Sequence, residues 1–260
     1  VLLVGAFIFL LLSPSKGSKQ RVFDERITLR KQDKIPYGTW VAYQNLSQVF
    51  PEAEIFVNRR EPGYWDSLSN YDEGQALVIV SRLFMASEYE MKKLVTFVEH
   101  GNYVFISAGY ISMAARDALG CSTGLSIGSV FSANPGMDTL RLSLEAPPFP
   151  RKMEYGYRGK SMQGYFDSLN SNITEIIGKD GFGRPNFIHL RSGKGHIYVQ
   201  TEPLAFSNYF LLHNNNIRYY EQALSLLPPD IKKIAWDEYY LNKKTNEDDE
   251  DSRNWLSVLM

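Results

Sequence analysis

Residues 75–107 read QALVIVSRLFMASEYEMKKLVTFVEHGNYVFIS, and their pattern decides the fold. Residues 75–80 (QALVIV) are an apolar run bounded by polar segments, as in a strand of a buried parallel sheet. Ser87 is placed to cap the helix that follows, and Glu90, three residues on, has the spacing of a capping box. The helical stretch ends at Gly101, and residues 102–107 (NYVFIS) form the next buried strand. Strand, helix and strand in that order make the βαβ signature of a parallel sheet.

Working outward, residues 24–29 alternate like a strand, and residues 31–36 (KQDKIP) break it. Tyr37-Gly38-Thr39 opens a helix through Phe50, with Thr39 as its N-cap and Pro51 as its stop. Residues 54–58 (EIFVN) are a short strand. Beyond Ala108-Gly109 lies a short helical stretch, residues 112–119, and residues 121–180 read as an insertion within the same domain. In it, residues 140–144 are a strand, while Tyr155, Tyr157 and Tyr165 sit on loops or edge strands. Residues 186–190 and 196–200 form a hairpin. A helix over residues 216–227, stopped by Pro228-Pro229, leads to a last strand at residues 231–240. The expectation is one three-layer α/β domain with a mostly parallel sheet, spanning residues 22–241.

Composition narrows the function classes. Hydrophobic residues at 44% and charged residues at 22% are ordinary for a chain with a real core. A formal net charge of −1 gives no basic surface for nucleic acid. The single cysteine, Cys121, excludes an intrachain disulfide, and the four histidines, His100, His189, His196 and His213, lack ligand spacing. No metal or cofactor is expected. Residues 1–12 (VLLVGAFIFLLL) are too short to cross a bilayer, which needs about 20 residues. They read as the C-terminal part of an N-terminal transmembrane helix, with a signal peptide and a buried core helix as competing readings. A linker over residues 13–21 follows. The anchor implies an extracytoplasmic domain with a membrane or envelope protein as partner, although Lys16, Lys19 and Arg21 favour the opposite orientation. At the other end, residues 242–260 hold an acidic linker and the apolar start of a membrane-proximal helix.

Several motifs together resemble the bacterial membrane-associated domain-of-unknown-function family 4350. They are Pro36-Tyr37-Gly38-Thr39 ahead of an aromatic helix, the block over residues 97–107, Glu202-Pro203 through Phe206-Ser207-Asn208, and Trp236-Asp237-Glu238-Tyr239. The resemblance implies a degenerate class I glutamine amidotransferase-like (flavodoxin-like) domain in gene neighbourhoods with MoxR-type ATPases. An amidotransferase of this type needs a cysteine on the sharp turn after a central strand, where a helix N-terminus lowers its pKa. Here that position reads Ala108-Gly109-Tyr110, and the nearest nucleophile is Ser107, without a Gly-x-Ser-x-Gly elbow. The partner histidine is also missing, since the matching hairpin ends Gln200-Thr201-Glu202-Pro203.

No catalytic residues are therefore assigned. The chain reads as a noncatalytic, membrane-tethered binding or scaffolding domain of an envelope complex, linked to a MoxR-type ATPase system. The alternatives are an amidotransferase-like or hydrolase-like enzyme with a rearranged nucleophile such as Ser107, or a carbohydrate-binding module suggested by the many Tyr and Trp. Ligands of open α/β sheets sit outside the carboxyl ends of the strands. The candidates there are Tyr37, Gly38, Thr39, Ser81, Arg82, Ser107, Ala108, Gly109, Tyr110 and Asn208. Each also reads as a cap or turn residue. Cys121 reads as an inert thiol, Gly181-Phe182-Gly183 as a turn before a hairpin, and Asp237-Glu238 as a solvated strand end rather than a catalytic pair.

Overall fold

The computed structural model describes residues 23–124 and 137–243 of the chain. Helix α1 (Trp40–Val49) precedes β1 (Glu54–Asn58), and the βαβ unit follows as β2 (Gln75–Phe84), α2 (Glu88–Glu99) and β3 (Tyr103–Ile111). Helix α3 (Met113–Leu119) and β4 (Cys121–Thr123) come next. Then come β5 (Met137–Leu144), β6 (Met153–Lys160), β7 (Phe166–Leu169), β8 (Thr174–Asp180), β9 (Pro185–Ser192) and β10 (Gly195–Gln200). A 3-10 turn (Pro203–Phe206), α4 (Asn208–Leu212), α5 (Ile217–Leu224), β11 (Lys233–Asp237) and α6 (Tyr239–Asn242) complete the order.

Nine strands form one sheet in the order β1-β11-β2-β3-β10-β9-β8-β5-β6, and β4 pairs with β7 apart from it. From β1 to β10 every neighbouring pair is parallel. From β10 to β6 every pair is antiparallel. The fold is α/β, but the sheet is mixed rather than mostly parallel. The reason lies in the connections. Ser192 and Gly195 face each other across a two-residue turn with Gly193 at φ +58°, and so short a link joins antiparallel neighbours only. Strands β5, β6 and β8 of the 121–180 insertion then extend that edge.

In β2, Leu77 and Ile79 face the opposite side of the sheet from Val78 and Val80, because successive side chains of a strand alternate. Val78 joins the core with Leu46, Phe210, Tyr220 and Trp236, beneath α1, α4 and α5. Leu77 and Ile79 join Leu94, Phe97 and Leu119, beneath α2 and α3. Burial on both faces is why the strand reads as an unbroken apolar run. The capping box of α2 is complete: Ser87 Oγ accepts the Glu90 amide and the Glu90 carboxylate accepts the Ser87 amide.

Several expectations are corrected. Residues 24–29 contribute one isolated bridge, Ile27 to Tyr37, instead of a strand. Strands β2 and β3 run on to Phe84 and Ile111, past the points where the apolar runs end. Among the described residues no helix is long and apolar enough to cross a membrane. The expected transmembrane anchor, the membrane or envelope partner and the membrane-anchored location are thus without a supporting span. The apolar run 1–12, the linker 13–21 and residues 244–260 lie outside the described residues.

Candidate functional site

The expected rim residues fall into two groups, and the fold engages most of their polar atoms. In the first, Tyr37 is buried and its hydroxyl accepts the Lys160 amide at 3.0 Å. Gly38 sits so close to Asp33 that a Cβ would lie 2.1 Å from the Asp33 carbonyl oxygen. Thr39 stands at the N-cap position of α1 but makes no side-chain cap; its hydroxyl donates to the Leu29 carbonyl at 2.9 Å. The cap comes from far along the chain. Asn208 Oδ1 accepts the Val41 amide at 2.8 Å, and its Nδ2 donates to the carbonyls of Asp33 and Ile35 at 2.8 and 2.7 Å. A helix N-terminus needs such an acceptor wherever it originates.

In the second group, Ser81, Arg82, Ser107, Ala108, Gly109 and Tyr110 lie within β2 and β3, with Ser81 opposite Ala108, rather than on loops. Ser81 donates to the Leu83 carbonyl at 2.8 Å, and Ser107 donates to Gln200 Oε1. Both serines are buried. Gly109 packs under Met162, whose sulfur would lie 2.3 Å from an added Cβ. Arg82 is half-buried, and burial lowers the pKa of its guanidinium. It borders a cavity of about 390 Å³ together with Arg30 and Lys243.

Asp237 and Glu238 do not form a solvated strand end, because both are buried. Asp237 accepts Asn58 Nδ2 at 2.7 Å and the Tyr240 amide at 2.8 Å, which ties the end of β1 to the end of β11. Burial pushes its carboxyl up to about 7, against these two hydrogen bonds. Glu238 pairs with Arg59 at 3.0 Å and Lys31 at 3.7 Å.

Three unmatched polar atoms gather elsewhere, at the seam where the sheet changes from parallel to antiparallel. Glu202 follows the carboxyl end of β10, and Asn186 lies beside it on β9, where its carbonyl accepts the Thr201 amide at 2.9 Å. Both are 1% exposed, and both line a cavity of about 260 Å³. One carboxylate oxygen of Glu202 is well held: Ser161 Oγ and the amides of Met162 and Gln163 donate to Oε2 at 2.7, 2.8 and 2.9 Å. Oε1 has no hydrogen-bond partner, and neither Oδ1 nor Nδ2 of Asn186 has one. Burial raises the Glu202 carboxyl to about 7, opposed by the Ser161 hydroxyl and those amides. Leaving such groups unmatched costs about 1–3 kcal/mol each, and water or another polar group that reached them would recover part of that cost.

The walls come from the inserted strands. Strand β5 pairs with β8 only from Leu142 to Leu144, and the cavity opens where the two part, bordered by Thr139, Arg141, Gly181 and Phe182. As expected, Gly181-Phe182-Gly183 forms a turn: Asp180 Oδ1 accepts the amides of Phe182 and Arg184 at 2.9 and 2.8 Å. Arg184 pairs with Asp180 at 2.6 Å and lies 3.8 Å over the Tyr165 ring. Sequence reasoning missed Asn186 and used Glu202 only as a motif. The available signal was an amide at a core-facing position of a strand, in phase with Ile188 and Leu190.

Cys121 is half-buried, and burial pushes its thiol up to about 11. Alkylation of the native chain by iodoacetamide at neutral pH is expected to run more than about 100-fold slower than that of free cysteine, since only the thiolate reacts. Cys121→Ala should cost about 1 kcal/mol. Rapid stoichiometric labelling would contradict both. His189 and His196 meet across the β9–β10 hairpin, Nε2 to Nδ1 at 2.7 Å, with Glu175 2.8 Å from His189. Among the described residues no group of His, Cys, Asp or Glu is arranged to hold a metal ion.

These features define an α/β domain with a mixed sheet and a polar cavity at its seam. No family model and no curated protein matches the sequence. Among solved structures, the exo-β-1,4-mannosidase Op5Man5 from Opitutaceae bacterium strain TAV5 aligns with 80% of this chain and 35% of its own at 15% identity, with a TM-score of 0.46. The chain therefore spans about a third of that enzyme's length. The mmIFT52 N-terminal domain aligns at 12% identity over 58% of this chain and 76% of its own, TM-score 0.40. A GMP synthase-type protein from Thermoplasma acidophilum aligns at 8% identity over 67% of this chain and 95% of its own, TM-score 0.35. Likenesses this distant say nothing about chemistry.

Proposed function

We propose that this chain is a noncatalytic binding domain that scaffolds a partner in a complex. One observation carries the reading. Acyl transfer on a sheet of this kind needs a strand that turns sharply into a helix and exposes a nucleophile at the turn. Strand β3 makes no such turn: it stays paired with β2 through Ile111, and Ser107 is sealed within it against Gln200. The hydrolase-like alternative would require Ser107 to reach solvent and a base, and its present partner is an amide.

A MoxR-type ATPase, which the family resemblance implies, is the first partner to try in a pull-down with purified components. The chain should neither release ammonia from glutamine nor react with a fluorophosphonate probe. Turnover of either kind that disappears in Ser107→Ala would overturn the noncatalytic reading.

A further inference from the structure

Resting on the binding-domain reading, we propose that the cavity at Glu202 and Asn186 takes a neutral polyhydroxylated ligand, a saccharide ring or short saccharide chain. The floor sets the chemistry. The Asn186 amide carries an unmatched acceptor and an unmatched donor group, Glu202 carries an unmatched oxygen, and both residues line the cavity. A sugar hydroxyl both donates and accepts, so neighbouring hydroxyls can satisfy an amide and a carboxyl together.

Charge favours neither sign of ion strongly. A phosphate or carboxylate ligand would meet the Glu202 oxygen on the floor. A cation would meet Arg141 on the wall, where Arg184 is already paired with Asp180. A neutral guest meets neither penalty.

The mouth adds an apolar surface. Phe182 is 73% exposed, its turn is pinned by two amides donating to Asp180, and its ring lies 5.0 Å from the Arg184 guanidinium. An exposed aromatic ring at a cavity edge suits the apolar C–H face of a pyranose. A second cavity of about 470 Å³ shares Thr139, Arg141, Leu142, Asp180 and Gly181 with the first, which leaves room for a further ring.

The test is an NMR titration of the isotopically labelled full chain with glucose, galactose, mannose, xylose and β-linked disaccharides, with phosphate, acetate and ammonium as charged comparators. Saturable shifts are expected for the backbone amides of Gly164, Gly181 and Phe182 and for the Asn186 side-chain amide. Asn186→Ala and Phe182→Ala should each weaken binding roughly tenfold or more. Because Phe182 is exposed, its variant should keep the wild-type melting temperature and so separates lost contact from lost folding. Shifts induced by a charged comparator and not by any sugar would overturn the proposal. So would the absence of shifts with every solute, which would leave a cavity that holds water only. A sugar recovered intact after prolonged incubation supports the binding-domain reading. Binding followed by cleavage would leave the site standing and overturn that reading alone.

Discussion

Asn208→Ala is expected to destabilise the protein by about 3–5 kcal/mol, a large part of the 5–15 kcal/mol that holds a typical domain together. The side chain is 3% exposed and serves three backbone groups at once, the Val41 amide and the carbonyls of Asp33 and Ile35. Alanine would orphan all three and strip the N-terminal cap from α1. For a domain of this size the melting temperature should fall by roughly 10 °C or more. Asn208→Asp separates the contributions. It keeps an acceptor for Val41 but aims a carboxylate at two carbonyl oxygens, so it should rescue little. A loss below about 1 kcal/mol for alanine, measured by urea unfolding, would show that water substitutes for the clamp. It would return Asn208 to the list of ligand candidates.

The second large effect is a dependence of stability on pH with an unusual sign. Burial raises Glu202 from 4.5 and Asp237 from 3.8, each to about 7. Between those limits the folded state binds more protons than the unfolded chain, so stability falls as pH rises. The contribution of each group is complete below pH 4 and is lost as pH passes through 7. Each shift corresponds to about 3–4 kcal/mol across the window. Other carboxylates act in the opposite sense. Lys194, hydrogen-bonded to Glu73, holds that carboxyl below the usual range, and its contribution is lost as pH falls. The difference between wild type and variant therefore isolates the buried pair. Glu202→Gln and Asp237→Asn should each flatten the decline in unfolding free energy between pH 4.5 and 7.5. If both variants keep the wild-type slope, the two carboxyls are already ionised in the folded protein at pH 5.

Of these groups only Glu202 lines the cavity at the seam. A carboxyl near 7 at its floor can donate as well as accept near neutral pH, which widens the set of hydroxyl arrangements it can match. The Ser161–Gln163 segment donates three hydrogen bonds to the other oxygen of Glu202, which positions the unmatched one.

Much of the parallel half was legible along the chain. The QALVIV run, the Ser87–Glu90 box and the helix stop at Gly101 each arise from contacts within a few residues, and all appear in the structure. The 121–180 segment was less legible. Its strands alternate weakly, as in Met153–Lys160, because one edge and part of one face are open, so periodicity carries little signal. The rim candidates were placed from the ends of apolar runs. Strands β2 and β3 continue through polar and small residues because they pair with each other, and that pairing cannot be read from either run alone.

By itself, then, the sequence determined the elements whose causes are local: helix α2 with its Ser87–Glu90 cap and its stop at Gly101, the doubly buried strands, and the hairpin at Gly193. The tertiary structure alone decided what depends on residues far apart in the chain. It made Asn208 the cap of a helix 167 positions away and sealed Ser107 against Gln200. It also brought Glu202 and Asn186 to one cavity floor with three polar atoms unmatched. The physical reason is that periodicity and capping report on a few neighbouring residues. Whether a buried polar atom finds a partner depends on what the folded chain places beside it.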